Sequence, residues 1–277
     1  MVQIISDSSI LYTCEQAQEM GIEAIPLCVS CGYVEGRDMH IDMDAYYEAI
    51  QFGHNPKSSQ PPIGEVVEAY EKYADADIIN ISMADGLSGT YESACMAREM
   101  VDNKDRITVI NSKTLCGPHR YMVEKAQQMK LAGHSAKEII DWLNHAAENH
   151  ETFLIQQYFD FLRRGGRLTS MAATLGSILK LKPVMVQTPE GKKLDKFVVK
   201  RTMKSAVQAV IDHMKAKKVD ARHIIYVSHA RALKDAEYIK AQMEKHFENV
   251  EVRMLELGAA FVTQGGPLCV AIQYIEK

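Results

Sequence analysis

The sequence predicts an α/β protein of two domains, and three features predict it. Short runs rich in β-branched residues alternate with helical patterns, which is the order of βαβ units. At 277 residues the chain is longer than the usual single domain of roughly 100–150 residues. Hydrophobic residues make up 47% and charged residues 25%, which is typical of a globular chain with a sizeable core.

Ten strands and ten helices are predicted from apolar periodicity and from signals at element ends. The strands lie at 2–6, 22–30, 77–82, 107–111, 152–156, 183–188, 197–199, 223–227, 250–257 and 268–275. The helices lie near 13–20, 42–52, 61–74, 90–103, 119–132, 135–149, 157–164, 171–180, 202–218 and 230–247. Thr13 and Gln16 have the spacing of a capping box, which supports the first helix.

The domain boundary is predicted near residue 150. In 1–150 each predicted strand is followed by a helix, which indicates a mostly parallel sheet with flanking helices. In 151–277 the order loosens, and Pro-Glu-Gly at 189–191 reads as a hairpin turn between two strands. The second sheet is therefore expected to be mixed.

Charge and composition exclude several classes of protein. The net charge of −4 and the absence of a basic stripe argue against a nucleic-acid partner. The N-terminus lacks the pattern of a signal peptide, and no apolar run approaches the ~20 residues that cross a bilayer. Six scattered cysteines suggest reduced thiols. We therefore expect a soluble cytoplasmic protein without stable membrane insertion.

Residues 85–91, Asp-Gly-Leu-Ser-Gly-Thr-Tyr, follow a predicted strand and precede a helix. Ligands of open α/β sheets bind where strands end, and glycines let the backbone come close to a bound group. Free N–H groups of the following helix favour an anion there. Ser88 is thus a candidate anion-binding hydroxyl, with a helix cap as the alternative. The nucleophile elbow Gly-x-Ser-x-Gly fails by one residue, at Thr90.

A second donor cluster is predicted at residues 58–62, Ser-Ser-Gln-Pro-Pro, ahead of an amphipathic helix. One serine is explained by capping alone. Two hydroxyls and an amide at a helix start can also stabilise a carboxylate without a buried cation. Both interpretations of Ser58 and Ser59 stay open on these residues.

Two arginines are candidates to hold an anion or an acidic partner. Arg167 lies beyond the helix that Arg163 and Arg164 complete, so the helix dipole does not explain it. Arg201 opens a helix, where a cation is out of place unless something negative is near.

Metal and nucleotide sites are not expected. Cys28 and Cys31 form a C-x-x-C, but no second pair accompanies them and a strand places them on opposite faces. The sequence contains no H-E-x-x-H, P-loop or strand-linked G-x-G-x-x-G, so no cofactor is predicted.

Taken together, five motifs resemble the DegV family in order and spacing. The motifs are Ser-Gln-Pro at 59–61, Gly-Leu-Ser-Gly-Thr-Tyr-Glu-Ser-Ala at 86–94, Arg-Gly-Gly-Arg at 164–167, Lys-Leu-Lys-Pro at 180–183 and Arg-Thr at 201–202. The resemblance covers nearly the whole chain, from Ser-Asp-Ser at 6–8 to Gln-Gly-Gly-Pro at 264–267.

The resemblance implies a long-chain fatty acid such as palmitate in a tunnel between domains 1–150 and 151–277. It implies no activity of the chain alone, and presentation of the carboxylate to a fatty acid kinase that makes an acyl phosphate, or to another lipid-metabolic enzyme. Ser58 and Ser88 would contact the carboxylate, while Arg167 and Arg201 would lie near the head group or the partner. The full predicted lipid-binding set is Ser58, Ser59, Ser88, Gly89, Arg167, Arg201 and Gln264.

Three departures from the family pattern keep alternatives open. Ser58 replaces a threonine and keeps the hydroxyl, Asp85 adds a carboxylate, and Gln264 stands where many members have a histidine. The changes at Asp85 and Gln264 favour, as an alternative, a carrier of a different small anionic ligand. A serine hydrolase using Ser88, with His229 or His119 as base, is the third interpretation.

Overall fold

The computed structural model describes residues 1–173 and 181–277, and it confirms the α/β class. The chain forms two compact units. Unit 1 comprises Met1–Glu148 with Gly258–Ala260, and unit 2 comprises Asn149–Leu257 with Phe261–Lys277. The chain therefore leaves unit 2 after Leu257, contributes three residues to unit 1 and returns.

Seven strands belong to unit 1. They are β1 (Val2–Asp7), β2 (Ile22–Ile25), β3 (Cys28–Cys31), β4 (Val34–Arg37), β5 (Lys57–Ser59), β6 (Asp77–Ser82) and β7 (Ile107–Asn111). Four of them form a parallel sheet in the order β2-β1-β6-β7, in which Ile4 faces Ile22 on one side and Ile79 on the other. Ile4 and Ile5 are both fully buried, as expected for a parallel strand covered on both faces.

The remaining strands of unit 1 form a small antiparallel sheet in the order β4-β3-β5. The prediction of one strand over 22–30 is wrong, because β2 ends at Ile25 and β3 begins at Cys28 in a different sheet. Pro26 lies at the break and has no N–H to donate to a ladder. Strands β4 and β5 were not predicted, since both are polar and are held by pairing with β3. It follows that not every strand of this region is followed by a helix.

Six helices cover the sheets of unit 1: α1 (Cys14–Glu19), α2 (Met43–Gln51), α3 (Ile63–Lys72), α4 (Thr90–Arg98), α5 (Cys116–Leu131) and α6 (Ala136–Ala146). The predicted capping box of Thr13 and Gln16 is confirmed. A second box begins α6 at Ser135. Apolar faces of α3 and α4 pack on the parallel sheet through Val66, Ala69, Tyr70, Ala94 and Ala97.

Unit 2 is built on a six-stranded mixed sheet. Its elements are β8 (His150–Ile155), α7 (Phe159–Gly165), α8 (Ser170–Ala173), β9 (Lys182–Gln187), β10 (Leu194–Lys200), α9 (Met203–Ala216), β11 (His223–His229), α10 (Leu233–His246), β12 (Glu251–Glu256), α11 (Ala259–Gly265) and β13 (Val270–Glu276). The first two residues of α11 belong to unit 1. The strand order is β10-β9-β8-β13-β11-β12, and only β11 and β12 pair in parallel. The predicted mixed sheet is confirmed, and so is the hairpin that joins β9 to β10.

Two helices of unit 2 differ from the prediction. Of the helix predicted at 171–180, residues 171–173 are helical and belong to α8. Residues 174–180 lie outside the described residues, and Lys180 of the fourth motif is among them. Helix α11 was not predicted, because its seven residues are too few to show a helical period. Among the described residues, no helix is long and apolar enough to cross a membrane.

Candidate functional site

The parallel sheet of unit 1 has a topological switch point between β1 and β6. The chain continues from β1 to β2 on one side of the sheet, and from β6 to β7 on the other. Open α/β sheets bind ligands outside the carboxyl ends of strands at such a point. The residues that follow these two ends are Ser8–Ile10 after β1 and residues 83–89 after β6. The predicted Ser88 turn therefore lies at the position that the topology favours for a ligand.

The Ser88 turn joins β6 to α4, as predicted. The carbonyl of Ala84 accepts hydrogen bonds from the N–H groups of Leu87 at 3.1 Å and Ser88 at 3.2 Å. Gly89 is the N-cap of α4 and provides no side-chain cap. Ser88 Oγ lies 2.8 Å from Thr90 Oγ1 and accepts a long 3.4 Å bond from Thr90 N–H. The hydroxyl is half-buried at a helix start, where partial positive charge favours an anion.

The second donor segment lies against this turn. Ser58 and Ser59 belong to β5, opposite Val29 and Cys28 of β3, with Ser58 half-buried and Ser59 exposed. A Cβ atom at position 89 would lie only 2.6 Å from Gln60 Oε1, so the Gln60 amide packs directly over Gly89. The structure thus brings the two predicted segments together. We call Ser58, Ser59, Gln60, Ser88 and Gly89 the serine cluster.

His119 lies in a buried polar network of unit 1. Its Nε2–H tautomer donates to the Ile81 carbonyl at 3.1 Å, and its Nδ1 accepts from the Ser9 hydroxyl. Burial lowers the pKa of His119, while Asp7 and the bond to Ile81 oppose this, so the ring is neutral at pH 7. The partners of His119 and of Ser88 therefore differ, and the hydrolase hypothesis gains no Ser88–His119 hydrogen bond from them.

Two of the predicted residues of unit 2, Arg167 and Gln264, lie in a second group around Gly165. A side chain at position 165 would collide with Gln264 Oε1, so the Gln264 amide packs over the end of α7. Arg167 donates to the Gly165 carbonyl. Gln156, fully buried after β8, donates to the carbonyl of Gly265 at 3.1 Å, next to Gln264. We call Gln156, Gly165, Arg167 and Gln264 the glutamine cluster.

Arg201 stands apart from the glutamine cluster. It is exposed between β10 and α9, and the described residues give it neither a hydrogen bond nor an ion pair. Its neighbour Thr202 is the N-cap of α9 and forms a capping box with Ser205. With no hydrogen bond or ion pair from the described residues, the Arg201 guanidinium beside this helix start can contact an anion or an acidic surface.

The cysteines and histidines do not gather around a metal position. In the part of the chain that the structure describes, no group of three or more His, Cys, Asp or Glu side chains has metal-binding geometry. Cys31 is buried, whereas Cys28 is half-buried and accepts a hydrogen bond from Arg37. All six cysteines are free thiols.

Two residues of this region were not in the predicted set. Gln60 was counted among the donors at a helix start, but its packing on Gly89 joins segments 29 residues apart and leaves no local signal. Asp7 directly follows the predicted strand 2–6 and is the last residue of β1, and this position was the one available signal. Its carboxylate accepts from the N–H groups of Ser9 and Met83, both at 2.9 Å.

The fold and the serine cluster define an α/β protein with a group of polar donors at the switch point of a parallel sheet. Comparison with known proteins makes the assignment specific. A family model described as "Uncharacterised protein, DegV family" matches residues 1–277, and the chain belongs to this family.

Relatives and solved structures agree with this assignment. Protein DegV of Bacillus subtilis is 30% identical over 274 residues, which cover 96% of this chain and 95% of the relative. A DegV domain-containing protein of Staphylococcus aureus is 32% identical over 210 residues, 74% of this chain and 73% of the relative. The crystal structure of DegV from B. subtilis, described as a fatty acid binding protein, has a TM-score of 0.84 at 29% identity and covers 100% and 99% of the two chains. A Thermus thermophilus DegV family structure, at 22% identity, shares the fold with a TM-score of 0.90 over 100% and 99% of the chains.

Proposed function

We propose that the chain binds a long-chain fatty acid such as palmitate and presents its carboxylate to a separate kinase or another lipid-metabolic enzyme. The observation that carries the proposal is the serine cluster, where neutral donors meet the start of α4 at the switch point of unit 1. The fatty acid binding described for the related B. subtilis protein supports the ligand class. On this account the chain itself is a carrier and has no catalytic activity.

The head group is held by neutral donors. A fatty acid is ionised at neutral pH, and a hydrogen bond to a charged acceptor contributes about 1.5–3 kcal/mol. Ser58 and Ser88 supply hydroxyls, and the first N–H groups of α4 add a favourable dipole. Such donors fix the position of a carboxylate without a buried cation, which keeps the carboxylate reactive toward a phosphoryl group.

The tail supplies most of the affinity. Burying about fourteen methylenes at ~0.8 kcal/mol each gives ~11 kcal/mol before costs are subtracted. Loss of ligand motion and ordering of side chains take back a large part of this sum. We therefore include in the proposal the tunnel that the family resemblance implies. Only a tail enclosed by protein gains the free energy of burying its methylenes.

The second step of the proposal is phosphoryl transfer. A carboxylate oxygen attacks the γ-phosphorus of ATP, the new oxygen–phosphorus bond gives an acyl phosphate, and ADP leaves. The sequence has no P-loop, so the partner must hold ATP. Arg167 and Arg201 are suited to the added phosphate or to an acidic face of the partner. The free thiols support a cytoplasmic location, and so does the need for ATP in the proposed transfer step.

One observation favours a different ligand as the alternative. Asp85 stands in the turn that ends at Ser88, and its Oδ1 is buried. The carboxylate of Asp85 near the serine cluster repels a second carboxylate. An anion whose charge lies farther from Asp85 would therefore bind there more favourably.

Native mass spectrometry of the protein, purified from cells without removal of lipid, tests the ligand. We expect a mass excess equal to a saturated or monounsaturated fatty acid of about sixteen carbons, the tail length used above. Repeated spectra without a ligand would contradict the proposal, and a bound anion of another mass would support the alternative.

Two further assays test the role of a carrier. Loaded protein, mixed with ATP and extract of its host cells, should give an acyl phosphate that hydroxylamine traps as a hydroxamate. Absence of hydroxamate across all extract fractions would contradict the kinase step. A fluorophosphonate probe should leave Ser88 unlabelled, since a label there would favour the hydrolase.

A further inference from the structure

We propose that Asp7 is a positioning residue, which fixes the Ser88 turn in the geometry that selects a carboxylate head group. The inference rests on the proposed function. Asp7 does not belong to the serine cluster, and it acts through the backbone of residues 83–88.

The Asp7 carboxylate joins the ends of the two strands at the switch point. It lies at the end of β1 and is 2% exposed. Its Oδ1 accepts from Ser9 N–H at 2.9 Å, and its Oδ2 accepts from Met83 N–H at 2.9 Å. Ser9 belongs to the turn after β1, and Met83 is the first residue after β6. One side chain therefore holds both strand ends.

Hydrogen bonds of Ala84, the residue after Met83, connect the anchored Met83 to Ser88. The next residue, Ala84, donates its N–H to the carbonyl of Thr114 at 2.8 Å, and it is fully buried. The carbonyl of Ala84 then accepts the N–H groups of Leu87 and Ser88. With Met83 and Ala84 both anchored, the direction of the Ala84 carbonyl is set. That carbonyl positions the Ser88 N–H, and Thr90 Oγ1 then fixes the Ser88 hydroxyl at 2.8 Å, before any ligand arrives.

The contacts of Asp7 require two acceptor atoms. Both partners are backbone donors, and neither is a cation. An asparagine has the same shape but only one acceptor, and its NH₂ group would face a backbone N–H. Asp7→Asn is therefore a nearly isosteric change that releases one anchor of the turn.

A neighbouring residue offers a matched control. Ser6 is also buried, and its hydroxyl donates to the Ile81 carbonyl at 2.8 Å. This bond stabilises β6 two residues before Met83. The hydroxyl also lies 3.3 Å from His119 Nε2, and neither partner belongs to residues 83–88. Ser6→Ala should lower stability as a lost buried hydrogen bond does, without moving the Ser88 turn.

The test measures dissociation constants for palmitate and for hexadecan-1-ol, which has the same tail and a neutral head. The readout is the ratio of the two constants, because a general loss of packing weakens both ligands alike. We expect Asp7→Asn to reduce the preference for palmitate about tenfold, as one lost bond to a charged acceptor would. Ser6→Ala should keep the wild-type ratio. An unchanged or increased preference in Asp7→Asn would overturn the inference.

Hydrogen exchange of the ligand-free wild type keeps the inference testable if Asp7→Asn does not fold. A turn fixed by Asp7 should show slow exchange at the N–H groups of Met83, Ala84 and Ser88 before palmitate is added. Fast exchange there, slowed only by palmitate, would contradict a preset turn. A wild type that binds neither probe would instead refute the proposed function and leave the exchange result to decide the role of Asp7 in the turn.

Discussion

Unit 1 and unit 2 carry charges of opposite sign. Unit 1 has 23 acidic and 11 basic side chains, a net charge of −12, whereas unit 2 has 13 acidic and 21 basic side chains, a net charge of +8. Yet the cluster proposed for an anionic head group lies in the acidic unit, and its donors are neutral. Local hydrogen bonds and the start of α4 must therefore act over short range, since salt screens charges beyond roughly 8–10 Å.

The basic unit has the features expected of a surface for phosphate or an acidic partner. Residues 157–204 contain eleven Lys or Arg and three Asp or Glu. Arg167 and Arg201 both lie in this stretch. On the proposed function, unit 1 selects the carboxylate and unit 2 serves the transfer step, and the difference in charge agrees with these separate roles.

The largest expected effect tests the role of unit 2. Arg201→Ala should lower the rate of acyl phosphate formation about tenfold to hundredfold, the loss expected for one charge-assisted contact. Palmitate binding should stay within about twofold of wild type, the scale of an ordinary surface substitution. Both are measured on the same preparation, by hydroxamate trapping and by palmitate titration.

Arg163→Ala is the matched control for that experiment. Arg163 is exposed in the same basic stretch, but it forms an ion pair with Asp160 at 2.8 Å. It should leave both measurements near wild type. If Arg201→Ala also lost palmitate binding, the claim that unit 1 selects the carboxylate and unit 2 serves the transfer step would be contradicted.

The next effect tests the role of unit 1. Ser88→Ala should weaken palmitate binding about tenfold without abolishing it, because the tail contacts remain. Ser59→Ala removes an exposed hydroxyl from the same cluster and should change the dissociation constant less. Equal constants for Ser88→Ala and wild type would argue that the head group is held elsewhere.

A smaller effect concerns pH and the buried network of unit 1. Burial lowers the pKa of His119 below its ordinary value of 6.5. As the pH falls, the unfolded chain therefore takes up a proton at this histidine before the folded chain does. The neutral His119 contributes its full stabilisation of the folded state above pH 6.5, and this contribution is lost as the pH falls further. We expect a loss of up to about 0.7 kcal/mol in the free energy of unfolding between roughly pH 7 and pH 6, the limit for one histidine that takes up a proton only in the unfolded chain. Urea unfolding at both pH values measures it.

His119→Gln should flatten this dependence, whereas His134→Gln should not. His134 is exposed and begins no buried network, so it serves as the control. If the slope of wild type and of His119→Gln were the same, another group would be responsible.

The last effect is the loss of stability when an N-cap hydroxyl is removed, and we expect it to be similar in both units. Thr202→Ala and Thr13→Ala each remove an N-cap hydroxyl from a capping box, at α9 and α1. Each should lower the free energy of unfolding by about 0.5–1 kcal/mol. Thr202→Ala should leave acyl phosphate formation unchanged, which separates its cap from the role of Arg201 beside it. A loss of transfer in Thr202→Ala would assign the Arg201 effect to helix disruption.

Features encoded locally were predictable from the sequence. Strand β6 carries three isoleucines, which favour a strand, and the glycines around Ser88 mark a turn before a helix. The position of Ser88 therefore followed from a few residues. The capping box of Thr13 and the hairpin at 189–191 were likewise set by neighbours in the chain. The five motifs together predicted the family that the comparisons confirm.

Features that depend on distant pairing were not predictable. Strand β5 is Lys-Ser-Ser and exists because it pairs with β3. The contacts of Gln60 with Gly89, and of Asp7 with Met83, join segments that only the fold brings together. The same holds for Gln264 and Gly165, which are about a hundred residues apart in sequence and packed together in unit 2.

A crystal structure of the protein purified without removal of lipid tests the central claim most directly. The account predicts a fatty acid whose carboxylate accepts hydrogen bonds from the hydroxyls of Ser58 and Ser88, at the distances of charge-assisted bonds. A structure in which a fatty acid is bound but its carboxylate reaches neither serine would contradict it. So would a ligand of another class at the serine cluster.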